Sequence, residues 1–153
     1  MKEKEKLEEQ NKNEIPEPSS SLALELFVFI HRIYLYIYNI CLLGLFMFKR
    51  YAFDYPNKII IYEVIIGILA LIVNIFRLRL ISVGNKTERA LILFFAFIIG
   101  IINIVGYIYF MWIQRYVTYF DLVFSTIGVV LTLLEIIFSL LTMFNIKVHE
   151  KSD

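Results

Sequence analysis

Residues Phe120–Phe144 read FDLVFSTIGVVLTLLEIIFSLLTMF, 25 residues that are almost wholly apolar. The few polar or small ones, Asp121, Ser125, Gly128, Thr132, Glu135, Ser139 and Thr142, follow at intervals of 4, 3, 4, 3, 4 and 3. A mean step of 3.5 holds one face of an α-helix; a strand would need a step of two. As a helix the stretch rises ~37 Å, enough for the ~30 Å hydrocarbon core of a bilayer. Lipid offers Ser, Thr, Gly and Glu no partner, so the stripe is expected to face other helices. There small residues let backbones approach and hydroxyls bond across the interface.

Three more runs share this character: Leu22–Phe48, Ile59–Phe76 and Ala90–Ile113, of 27, 18 and 24 residues. They are apolar on successive residues and too long for barrel strands of about 10 residues. The prediction is an all-α membrane protein, a four-helix transmembrane bundle over residues 22–144. Composition agrees, since 153 residues that are 59% hydrophobic and 19% charged lack the polar surface of a soluble domain. The second run carries its own polar or small face, Glu63, Gly67, Ala70 and Asn74, and the third Ala96, Gly100 and Asn103.

Outside the spans little remains. Residues 1–21, MKEKEKLEEQNKNEIPEPSSS, predict a disordered charged cytoplasmic tail, with a short helix at Lys2–Gln10 supported by its Glu/Lys spacing. Residues 145–153 are expected to form a short cytoplasmic tail. No signal-peptide core precedes the first span, which is expected to act as an uncleaved anchor. Ten basic residues fall on the side of the termini (Lys2, Lys4, Lys6, Lys12, Arg77, Arg79, Lys86, Arg89, Lys147, Lys151) and four on the other (Lys49, Arg50, Lys58, Arg115). The positive-inside rule then places both termini in the cytoplasm. The sequon Asn85-Lys86-Thr87 would face the same compartment and stay unmodified. The single cysteine, Cys41, lies in the first span and has no intrachain partner. A net charge of +1 implies no attraction to nucleic acid.

Glu135 needs a partner, because an acid at the centre of a span costs ~2.5–3.5 kcal/mol on insertion scales. Arg32 lies about 15 Å from the start of the first span and Glu135 about 13.5 Å from the same side, so the two form one candidate pair. The other reading puts residues 22–30 in the interface and lets Arg32 snorkel, with Tyr34, Tyr36 and Tyr38 in a headgroup-level belt. Glu135 itself is read as a polar contact in a packing face, worth ~0.6 kcal/mol as an interhelical hydrogen bond. The competing reading is a proton carrier. Glu63 and Asp121 lie near span ends. His31 and His149 have no metal-ligand neighbour at helical spacing, and no glycine-rich phosphate loop or nucleophile elbow occurs. No enzyme and no cofactor are expected.

Leu24-Glu25, Tyr55-Pro56, Glu63, Arg77-Leu78, Gly84-Asn85, Arg89, Gln114, Tyr116-Val117, Asp121 and Glu135 stand in an order that resembles one family. It is the transmembrane protein 17 and 216 family of four-span ciliary transition-zone proteins, and within it the transmembrane protein 216 branch. The likeness runs from Ser20 to Phe144. His31-Arg32 is more basic than the family pattern, and the third span lacks a proline. The resemblance implies a structural role in the Meckel-syndrome-type membrane complex, with tectonics, meckelin and other small spanning proteins as partners. That complex supports ciliogenesis and the diffusion barrier at the ciliary base; no catalysis is implied. The alternatives are a small four-helix proton-coupled transporter using Glu135, and an assembly chaperone of the endoplasmic reticulum.

Overall fold

The computed structural model describes residues 20–152, with side chains as far as Val148. The expected tail over residues 1–21, with its helix at Lys2–Gln10, lies outside the described residues except for Ser20 and Ser21. The elements are α1 (Leu22–Ala52), α2 (Asn57–Lys86), α3 (Ala90–Ile108) prolonged by a π-helical turn (Tyr109–Ile113), and α4 (Tyr119–Ser152). Among the described residues, four helices are long and apolar enough to cross a membrane. Short turns make successive helices antiparallel. Each helix packs on its chain neighbours, α4 closes the ring on α1, and α2 just reaches α4 across the diagonal. The result is an up-down-up-down four-helix bundle.

The helices overrun the apolar segments. α2 continues ten residues past Phe76 to Lys86, and α4 runs on to Ser152 where a tail from 145 was expected. Apolar run length measures contact with lipid; a helix stops where its backbone bonds are capped. At ~1.5 Å per residue, α1 and α2 are about 45 Å long, so they project beyond a ~30 Å core by roughly 7.5 Å at each end.

The caps are local and specific. Ser21 precedes α1 and its Oγ accepts from Leu24 N at 3.3 Å. α2 ends with Arg89 N bonded to Gly84 O at 3.1 Å, the long closing bond of a Schellman turn. That geometry forces a left-handed residue, and Glu88 supplies it at φ 51°. α4 opens on a reciprocal box: Thr118 N and Oγ1 donate to Asp121 Oδ2 at 2.8 and 2.6 Å, and Asp121 N donates to Thr118 Oγ1 at 3.4 Å.

The apolar interior comes in two blocks. One, toward the chain termini, contains Leu24, Val28, Leu78, Ile81, Leu93 and Ile146. The other, toward the far end, contains Tyr38, Leu42, Phe46, Tyr55, Tyr107 and Phe110. The break between them is polar.

Candidate functional site

The break is a layer of six side chains drawn from all four helices: His31 of α1, Asn74 and Arg77 of α2, Asn103 and Tyr107 of α3, and Glu135 of α4. His31, Arg77 and Glu135 are wholly inaccessible. Arg77 Nη2 donates to Glu135 Oε2, and His31 Nδ1 lies 2.9 Å from the same oxygen. His31 Nε2 lies 3.4 Å from Tyr107 Oη, which accepts from Asn74 Nδ2 at 2.9 Å. Asn74 Oδ1 accepts from Arg77 Nε at 3.4 Å and from Asn103 Nδ2 at 3.3 Å.

Arg77 Nη2 also lies 3.3 Å from His31 Nδ1, so that nitrogen faces a donor and an acceptor at once. Glu135 accepts from His31 only if Nδ1 carries the proton. The charges of Arg77 and Glu135 cancel inside the layer. Glu135 Oε1, Arg77 Nη1 and Ser139 Oγ remain buried without a protein partner.

Glycines make the layer fit. A Cβ on Gly128 would stand 2.5 Å from Tyr107 Cε1, so the Tyr107 ring lies against bare α4 backbone. A Cβ on Gly100 would meet Ile136 at 3.1 Å and Arg77 Nη1 at 3.6 Å. Gly100 and Gly128 thus shape the space in which Arg77 and Tyr107 sit.

The α4 stripe of Asp121, Ser125, Gly128, Thr132, Glu135, Ser139 and Thr142 is buried along its whole length. Glu63, Gly67, Asn74, Ala96, Gly100 and Asn103 are buried as well, and Ala70 is half-buried. Thr132 and Thr142 spend their hydroxyls within α4, on Gly128 O and Phe138 O.

Arg32 is not the partner of Glu135. It is exposed on the outside of the bundle, because His31, one residue and about 100° earlier on the helix, takes the inward position. The partner is Arg77, counted in the sequence as a loop base beyond the second span. The signal was there: Glu63, Gly67, Ala70, Asn74 and Arg77 continue one stripe with steps of 4, 3, 4 and 3. The tyrosine belt is corrected too. Tyr34 and Tyr38, one turn apart, both point inward, to Phe124 O and to Ser125 Oγ at 3.4 Å, and only Tyr36 is exposed.

Each end of the bundle has its own polar set. On the side of the termini, Asn85 Oδ1 accepts from Ser21 N at 2.8 Å and its Nδ2 donates to Ser21 O at 2.9 Å. The sequon asparagine is therefore buried and fully engaged, whichever compartment it faces. Nearby, Glu25 accepts from Ser82 at 2.7 Å and pairs with Lys86 at 3.1 Å. At the far end Lys49 and Asp121 form a wholly buried ion pair at 2.6 Å. Glu63 there accepts from Tyr55 Oη and, at 2.9 Å, from Arg115 N. Burial and the Glu63 carboxylate push the Tyr55 phenol up, keeping it a donor. No cluster of metal-ligating side chains occurs among the described residues.

A family model, Transmemb_17, described as a predicted membrane protein, matches residues 22–132. Searches of curated proteins and of solved structures gave no match.

Proposed function

The chain belongs to the Transmemb_17 family of predicted membrane proteins, and from that premise we propose that it is a structural component of the ciliary transition zone. In this reading it is non-catalytic, has both termini in the cytoplasm, and assembles with tectonics, meckelin and other small spanning proteins. It supports ciliogenesis and the diffusion barrier at the ciliary base. The resemblance from Ser20 to Phe144 supplies the setting. The observation that carries the structural role is the buried polar layer, in which Arg77 and Glu135 form an ion pair and every helix contributes a member. Such a layer fixes register and helix order, as buried polar groups do in bundles whose alternatives must be excluded.

The proton-carrier reading fits less well. A carrier acid must shed its counter-ion in each cycle, whereas Glu135 is held by a permanent guanidinium within a packed interior. The test is location and rescue. A tagged copy in ciliated cells should form a ring or spot just above the basal body and restore ciliation to cells lacking the gene. A uniform endoplasmic-reticulum signal would overturn the proposal and favour the chaperone reading.

A further inference from the structure

Two exposed arginines, Arg32 of α1 and Arg79 of α2, lie near the groove between these helices. Glu25 of α1 and Lys86 of α2 pair across the outer groove between these helices at 3.1 Å. Seven residues on from Glu25 is Arg32, and seven back from Lys86 is Arg79. A heptad is two turns, so each arginine lies on the same flank as its reference residue. The helices are antiparallel, so both lie about 10.5 Å farther along the groove. The heptad spacing therefore puts Arg32 and Arg79 on the facing flanks of the α1–α2 groove. Both are exposed, and among the described residues neither has an ion pair or a side-chain hydrogen bond.

Depth sets what they can meet. With a helix overhang of about 7.5 Å, Arg32 starts roughly 7.5 Å inside the hydrocarbon edge and Arg79 roughly 3 Å inside it. Helical side chains lean toward the N-terminus of their own helix. Arg32, the deeper, leans outward toward the bundle end that carries the chain termini. Arg79, the shallower, leans inward. The two guanidiniums lean toward one level just below the headgroups, with exposed Ile33, Ile72 and Phe76 at or below it.

We infer that Arg32 and Arg79 form a binding site for the phosphate of one anionic glycerophospholipid in the leaflet on the side of the termini. Two forked donors suit the tetrahedral oxygens of a phosphate. At this depth the phosphate that meets them is the glycerol-linked one, and the apolar wall below takes an acyl chain. A zwitterionic lipid has the same phosphate but no net charge to offset a site of charge +2. This inference does not rest on a ciliary role.

The experiment is native mass spectrometry of the full chain, released from detergent and titrated with phosphatidylserine or phosphatidylcholine. The wild-type chain should hold one phosphatidylserine more tightly than phosphatidylcholine, and inorganic phosphate should not displace it. Arg32→Gln or Arg79→Gln should each weaken phosphatidylserine binding roughly ten-fold, and the double variant should lose the preference between the two lipids. Arg32→Lys, which keeps charge and loses the fork, should fall between. Lys58→Gln at the far end should change nothing. Both arginines project outward, so the variants should unfold at the wild-type detergent concentration. Unchanged lipid preference in the double variant would overturn the site. Loss of a co-purifying membrane protein with lipid binding unchanged would do so as well, pointing to an acid on a partner helix.

Discussion

Two wholly buried ion pairs cross this bundle, and they are built differently. Lys49–Asp121 joins the last turn of α1 to the first turn of α4. Each charge there opposes its own helix dipole, and Asp121 also serves the capping box with Thr118. Local structure alone would favour both residues. Arg77–Glu135 has no such support. It sits in mid-helix and depends on His31, Asn74, Asn103 and Tyr107 from every helix around it. One pair follows from helix ends; the other exists only once the bundle has closed.

Breaking the central pair should therefore cost most. Glu135→Leu leaves Arg77 buried and unpaired, and unfolding in sodium dodecyl sulfate should show a loss of about 3–5 kcal/mol. Glu135→Gln should behave similarly, because the amide keeps shape and leaves the charge. This is well above the ~0.6 kcal/mol expected of Glu135 as an uncharged interhelical hydrogen bond. Glu135→Leu with Arg77→Leu should recover most of the loss, since two apolar residues leave no stranded charge. A double variant no better than the single would show that the layer matters through more than this pair.

Next comes the socket beside it. Gly128→Ala puts a methyl against the Tyr107 ring and should cost about 1–3 kcal/mol. Tyr107→Phe in the same background should not relieve it, since the clash is with ring carbons. For the far pair, Lys49→Met strands Asp121 beside a helix N-terminus that still favours it. The expected loss is about 1–3 kcal/mol, smaller than at Glu135 in the same assay. An equal loss would erase the distinction between the two pairs.

A last test fixes which pair lies nearer which compartment and should leave stability unchanged. Asn85 is engaged by Ser21, so glycosylation there reports nothing about topology. Cysteine labelling is cleaner: in a Cys41→Ser background, Glu88→Cys and Asp54→Cys mark one exposed turn at each end of the bundle. In sealed microsomes an impermeant maleimide should label Glu88→Cys directly and Asp54→Cys only after permeabilisation. The opposite pattern would invert the orientation taken from the basic residues.

Four spans could be read from the sequence because each is one unbroken apolar run, and the α4 stripe because its steps stay regular. Partners were harder. Arg77 follows Phe76 at the edge of an apolar run, and hydropathy treats an edge arginine as a boundary marker. Only its phase, three residues after Asn74, marks it as inward-facing. His31 and Arg32 are adjacent, so depth cannot separate them, and a rotation of about 100° decides. His31 and Tyr107 share the buried stripes of their helices (Val28, His31, Leu35 in α1; Ala96, Gly100, Asn103, Tyr107 in α3). Extending each stripe past its apolar members would have found them. The Ser21–Asn85 contact spans 64 residues, and no local pattern announces it.

The Arg77–Glu135 pair also sets a schedule. The two residues are 58 positions apart, and chains grow at about 5–20 residues per second. Arg77 is therefore made roughly 3–12 s before the carboxylate that neutralises it. During that interval α1 and α2 exist as a hairpin whose second arm carries an unpaired cation near the end of its apolar run, at a cost below the ~2.5–3.5 kcal/mol that insertion scales give for a span centre. The nascent hairpin must wait at the edge of the insertion machinery, or under a membrane chaperone, until α4 arrives. A chain stopped before residue 135 should stay there and be degraded from there.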